Sequence, residues 1–168
     1  MTGLLVVNEF LNSNKFNEIH QWLIDAAIRQ GIELIKKTNA QLLIELPVKN
    51  LRKSFQPEAD FVLFLDKDVR LAEYLELMGY RVFNSAKAIY ACDDKSVTHL
   101  LLSGADIPMP KTIVAPMTFT NIGYTDLYFL EDVADRLGYP MVVKECFGSF
   151  GQQVYLVKDM DELFSTVK

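Results

Sequence analysis

Residues 140–157 read PMVVKECFGSFGQQVYLV. Two short apolar runs flank a loop holding Gly148 and Gly151, and Lys144 closes the first run. Short apolar runs bounded by turn formers predict strands, and the loop between them predicts an antiparallel hairpin. Glycine lacks a Cβ, so such a loop adopts unusual backbone angles and approaches a ligand closely. A polyphosphate asks for this combination: a positive charge, backbone N–H donors and room for the chain. Ser149 adds a hydroxyl donor. Each feature also has a plainer reading. A Gly-x-x-Gly hairpin is commonly only a turn, and a lysine at a strand end is commonly a solvated gatekeeper. The loop is neither a Walker A motif nor a dinucleotide fingerprint, because it lacks Gly-Lys-Ser/Thr and joins strand to strand.

Working outward, residues 126–137 carry Leu130, Val133, Ala134 and Leu137 at helical spacing, with Gly138 and Pro140 as the stop. After the hairpin, KDMDELFSTVK opens a last helix, with Asp159 as its cap and Glu162 completing a capping box. A magnesium site built from Asp159, Asp161 and Glu162 is the weaker reading of the same residues. Upstream, CDDKSVTHLLLSGADIPMPKTIV predicts a helix from Lys95 to Ser103 capped by Asp94, then Gly104, then two prolines entering a strand. Lys95 falls in the first turn of that helix. A cation there opposes the helix dipole, so a nearby anion would explain its position.

The first half has a different rhythm. Gly3 to Val7 is a compact apolar run, followed by the polar stretch NEFLNSNKF. Ile19, Leu23, Ala26 and Ala27 then share a helix face that stops at Gly31. Further strands are expected at Ile32 to Ile35 and at Leu42 to Leu46, with a basic irregular connection from Pro47 to Pro57. DFVLFLD is the clearest strand, apolar without alternation as in a strand covered on both faces. Leu71, Leu75 and Met78 form the stripe of the next helix, Gly79 its stop, and YRVFNS a short strand ending at a cap. Strand and helix alternating in this way predict an α/β open parallel sheet with crossover helices. Ligands sit beyond the carboxyl ends of such strands, which points to NEFLNSNKF and DKD as site-facing loops. The boundary between the two rhythms falls near Cys92, giving domains at 1–92 and 93–168.

Composition bounds the rest. The chain has 168 residues, is 50% hydrophobic and carries a net charge of −5. That suffices for a sizeable core and argues against a general nucleic-acid surface. Cys92, Cys146, His20 and His99 give no metal-ligand spacing and no disulfide framework. No apolar stretch is long enough for a signal peptide core or a membrane span, so a cytoplasmic location is expected.

The ordered pieces DDKSVTHLLLSGADIPMPKT and GYPMVVKECFGSFGQQVYLV together resemble the ATP-grasp family. In that family a D-K helix start, a G-x-x-x-P-x-P-x-T entry and a P-x-V-V-K-…-G-S-x-G-x-x-V hairpin occur in this order. The nearest likeness is to RimK-type glutamate ligases and other carboxylate–amine ligases. The resemblance is specific from Asp94 to Val157 and architectural before that. It implies a pre-ATP-grasp open parallel sheet domain followed by the first α+β lobe of an ATP-grasp module.

By that resemblance Lys95 and Lys144 are expected to contact ATP phosphates. Gly148, Ser149, Phe150 and Gly151 match the flexible loop that closes over the triphosphate. Glu145 stands where many relatives carry proline, and Gln152 and Gln153 replace a glycine often found there, which is expected to stiffen the loop. The implied reaction joins a small-molecule or peptide carboxylate to an amine: the carboxylate attacks the γ-phosphate, and the amine displaces phosphate from the acylphosphate. The acidic adenine hinge and the magnesium carboxylates belong to a second lobe that the sequence does not present. The chain is therefore expected to be the front part of a longer ligase, inactive by itself, with weakened ATP binding. The alternative is a non-catalytic module that binds a nucleotide or a partner and regulates something. No residue reads as a general base, and the oligomeric state, a homo-oligomer included, stays open.

The remaining features read plainly. Asn8, Glu9, Asn12 and Asn14 suit an ordinary polar loop slightly better than a substrate site. Asp66 and Asp68 read as loop or cap residues, and Lys36, Lys37, Lys49, Arg52 and Lys53 as a solvated basic face. Cys146 is expected in the hairpin core in preference to a reactive site, and Trp22 and the phenylalanines in core packing.

Overall fold

The structure is a computed structural model that describes residues 1–11, 13–46 and 58–167. Asn12 and the predicted connection from Pro47 to Pro57, with Lys49, Arg52 and Lys53, lie outside the described residues. The chain divides into two compact units, Met1–Tyr90 and Ala91–Lys168.

The first unit is built on a four-stranded parallel sheet. Its strands are β1 (Thr2–Val7), β2 (Glu33–Thr38), β3 (Phe61–Phe64) and β4 (Val82–Phe83), in the order β2-β1-β3-β4. Helices α1 (Asn14–Arg29) and α2 (Val69–Leu77) provide the crossovers, and α3 (Ala86–Asp93) follows β4. Leu4, Leu5, Val6 and Val7 are all buried, because β1 is central and covered on both faces. Leu4, Val6, Val62 and Phe64 form one core with Leu71, Ala72 and Leu75 of α2 and with Met78, which caps its end. Gly3 is set by packing. Its register partners are Leu34 and Phe61, and a Cβ there would collide with the Phe61 ring and lie 2.6 Å from Leu34 Cδ2.

The second unit holds α4 (Lys95–Leu102), α5 (Phe129–Leu137), the antiparallel pair β5 (Met141–Lys144) and β6 (Val154–Val157), and α6 (Met160–Val167). Its core gathers Leu130, Met141, Val157 and Leu163, with Val133, Val143 and Phe164 packed against them. Both α5 and α6 therefore pack on one face of the hairpin. The α6 cap forms much as expected: Asp159 Oδ1 accepts from the Glu162 N–H at 2.9 Å. The Glu162 carboxylate reaches one residue further back than a capping box, accepting from the Lys158 N–H at 2.8 Å.

Four local expectations change. Leu42 to Leu46 is no strand: a 3-10 turn at Asn39–Gln41 precedes it, Leu42 is buried, and Leu43 and Leu46 are exposed. Both edges of β1 are already taken by β2 and β3, so that run finds no ladder partner there. β2 runs on to Thr38, past the apolar residues, because β1 supplies a partner as far as Val7. The segment after Pro108 and Pro110 forms no strand, consistent with the donors that proline removes. α5 begins at Phe129, because Asp126 Oδ1 accepts from the Tyr128 N–H at 2.9 Å and holds a turn before it. Three packing expectations also fail. Trp22 is 67% exposed, Cys146 is exposed instead of buried in the hairpin, and several phenylalanines, Phe10 and Phe119 among them, lie on the surface, unlike the buried Phe64.

Candidate phosphate-facing site

The site is assembled from two pieces of sequence some fifty residues apart, both in the second unit. Asp94 starts α4. Its Oδ1 accepts from the Ser96 N–H at 2.8 Å, the Val97 N–H at 3.3 Å and the Ser96 hydroxyl at 2.6 Å. The Ser96 hydroxyl bond, the two backbone N–H bonds and the Lys95 charge hold its carboxyl below the ordinary value, against the opposing effect of burial. Capping in this way fixes the direction in which Lys95, the first residue of the helix, leaves the backbone.

Lys95 is tied to the glycine loop by three hydrogen bonds. Its backbone N–H donates to the Cys146 carbonyl at 2.9 Å, satisfying one of the donors that a helix start leaves open. Its ammonium donates to the Gly148 carbonyl at 3.2 Å and to the Cys146 carbonyl at 3.4 Å. Sequence motifs alone placed Lys95 near this loop. They carried no sign of the Cys146 and Gly148 carbonyls, which are backbone atoms and leave no residue-type signal.

β5 places Lys144 by strand alternation. Met141 is buried and Val143 packs on the core, so Val142 and Lys144 point to the other face. Their register partners Leu156 and Val154 share that face, and all four are exposed. The hairpin thus presents an uncovered apolar platform with one cation at its loop end. The exposed face was not legible in MVVK and VYLV, whose residues look uniformly buried in the sequence.

The loop continues the ladder for one more bond, from the Glu145 N–H to the Gln153 carbonyl at 3.2 Å, and Tyr155 Oη donates to Glu145 Oε1 at 3.4 Å. Gly148 has φ +125° and Gly151 has φ +74°, regions that side chains disfavour, and Phe150 adopts φ 60°. A Cβ on Gly148 would strike the Gln153 carboxamide. That side chain fills the hollow under Gly148, and its Oε1 is buried without a hydrogen-bond partner. Phe147 and Phe150 are exposed on the loop.

Other predicted residues fall elsewhere. Asn8 Nδ2 donates to both Asp66 oxygens at 3.1 and 3.2 Å, and Asn8 Oδ1 accepts from the Phe10 N–H at 2.9 Å. Asp68 caps α2. These contacts make Asn8, Asp66 and Asp68 loop-forming and capping residues. Two shallow hollows, one beside Ile113, Pro116 and Arg136 and one beside Thr2, Asp60 and Tyr80, are lined by none of the predicted phosphate contacts. Among the described residues no three His, Cys, Asp or Glu side chains converge for a metal ion, so they do not fit a magnesium site. No described helix is long and apolar enough to cross a membrane.

The parallel sheet unit followed by the hairpin unit is an α/β arrangement that this chain shares with a solved ATP-grasp structure. Residues 92–168 match the RimK-like ATP-grasp domain. Human N-acetylaspartylglutamate synthase A is 36% identical over 98 residues, covering 58% of this chain and 24% of the synthase. The α-aminoadipate–LysW ligase LysX of Saccharolobus solfataricus is 31% identical over 117 residues, covering 66% of this chain and 39% of the ligase. The crystal structure of a RimK-domain ATP-grasp protein from Sphaerobacter thermophilus superposes with a TM-score of 0.71 at 22% identity, over 98% of this chain and 58% of that one. The chain thus spans well under half the length of these two curated relatives.

Proposed function

We propose that the second unit binds the phosphates of ATP and that the chain serves an ATP-dependent carboxylate–amine ligase. Residues 1–92 are the pre-ATP-grasp domain in this reading, and residues 93–168 are the first lobe of the ATP-grasp module. Lys95 and Lys144 supply charge. Gly148, Ser149, Phe150 and Gly151 form the loop over the triphosphate, and the face of Val142, Val154 and Leu156 offers apolar contact to the nucleotide. The observation that carries the reading is the Lys95 ammonium at the Gly148 carbonyl, because it unites both halves of the motif in one place.

ATP, when bound, would supply its γ-phosphoryl group to a carboxylate with release of ADP, and an amine would then displace phosphate from the activated acyl group. What these residues contribute is orientation and neutralisation of the developing charge, the two effects that dominate phosphoryl transfer. The names of the relatives, an aspartylglutamate synthase and an aminoadipate ligase, support acidic amino acids as the substrate class. Isothermal titration of ATP into the chain tests the nucleotide part. Binding should be detectable and several-fold weaker in Lys144→Ala. Equal affinity in wild type and Lys144→Ala on folded samples overturns the role given to Lys144.

A further inference from the structure

We infer that Lys95 is a positioning residue for the glycine loop as well as a charge, with Gln153 as the wedge that sets the loop's height. An ammonium has three N–H donors. Two of the Lys95 donors go to the Gly148 and Cys146 carbonyls, and the Lys95 backbone N–H holds the Cys146 carbonyl a second time. One donor is left for an anion. The Gln153 carboxamide occupies the space that a Cβ on Gly148 would take, so a side chain there would have to displace it and would also be strained at φ +125°. The loop is thereby clamped by a cation on α4 and by an amide one residue before β6. Its carbonyls aim the ammonium, and the ammonium fixes where the loop's donors lie. The phosphate role of Lys95 rests on the nucleotide reading above, whereas the clamp does not.

The test reads the clamp with no nucleotide present. Hydrogen exchange by mass spectrometry on the full chain compares residues 146–152 with α6 as an internal reference. Lys95→Met should raise exchange of the loop about fivefold while leaving α6 unchanged, the effect of losing a charge-assisted bond locally. Lys95→Arg, which keeps donors and charge, should recover part of the protection. Gln153→Ala should raise loop exchange too, and the double variant should add less than the sum of the two, since both act on one loop. Unchanged loop exchange in Lys95→Met, or an equal rise in loop and α6, overturns the clamp. Titration of ATP into the same variants is a separate arm. A chain that shows the loop effect but no ATP binding keeps the clamp and loses the nucleotide reading.

Discussion

Asp94 is the residue on which the placement of Lys95 depends. Removing its cap in Asp94→Ala should cost about 1 kcal/mol, measured by urea unfolding at neutral pH. The titration has a definite sign. The folded carboxyl sits below its ordinary value of 3.8, so its contribution is fully present above that value and is lost as pH falls through the folded one. Asp94→Asn keeps a capping acceptor but cannot titrate. The stability gap between wild type and Asp94→Asn should therefore shrink on acidification below about pH 4. Gly148 gives the second residue-scale prediction. In Gly148→Ala the Cβ meets Gln153 and the backbone angle is strained, so loop protection and ATP affinity should both fall. Adding Gln153→Ala relieves the collision but not the strain, and should restore only part of the loss. Lys95, Lys144 and the glycines stand out in the sequence because their residue types suit the proposed chemistry. The Gln153 wedge is not legible there, because its meaning lies in a contact across a loop.

At the scale of elements, strands were legible where apolar residues ran without a break, as in Phe61 to Phe64. They were not where pairing decides. β2 continues through Lys36 and Lys37 because β1 lies alongside, and Leu42 to Leu46 stays irregular for want of a partner. Helix starts were read to within a few residues, because caps are local, although an Asx turn moved α5 to Phe129. Two expectations belong here. Gly3→Ala forces a methyl between Leu34 and Phe61 across three strands, and should cost roughly 1–3 kcal/mol in thermal or urea unfolding. His20, the buried histidine of α1, is held below its ordinary value of 6.5 by burial first and the Lys36 charge second. A depressed folded value means the unfolded chain takes up the proton more readily. Stability should thus fall as pH drops below 6.5, and His20→Leu should remove that part of the pH dependence in unfolding curves.

For the molecule as a whole, the two units differ in what holds them. The first closes a core from both central strands, α2 and the start of α3, including Leu4, Val62, Phe64, Leu75 and Ile89. The second closes around Leu130, Met141, Val157 and Leu163, and leaves Val142, Val154 and Leu156 of its hairpin exposed. Hydrophobic stabilisation scales with apolar area removed from water, so the second unit has less to oppose the entropy of its chain. Amides of β5 and β6 should therefore exchange faster than those of β1 and β3 in the free protein. A ligand that binds only the folded state adds stability in proportion to the logarithm of its excess, about 2.7 kcal/mol at roughly a hundred times Kd. ATP at that excess should slow exchange in β5, β6 and the start of α4 and leave β1 and β3 nearly unchanged. Protection rising equally in both units, or confined to the first, would contradict placing the phosphates on the Lys95 and Lys144 hairpin.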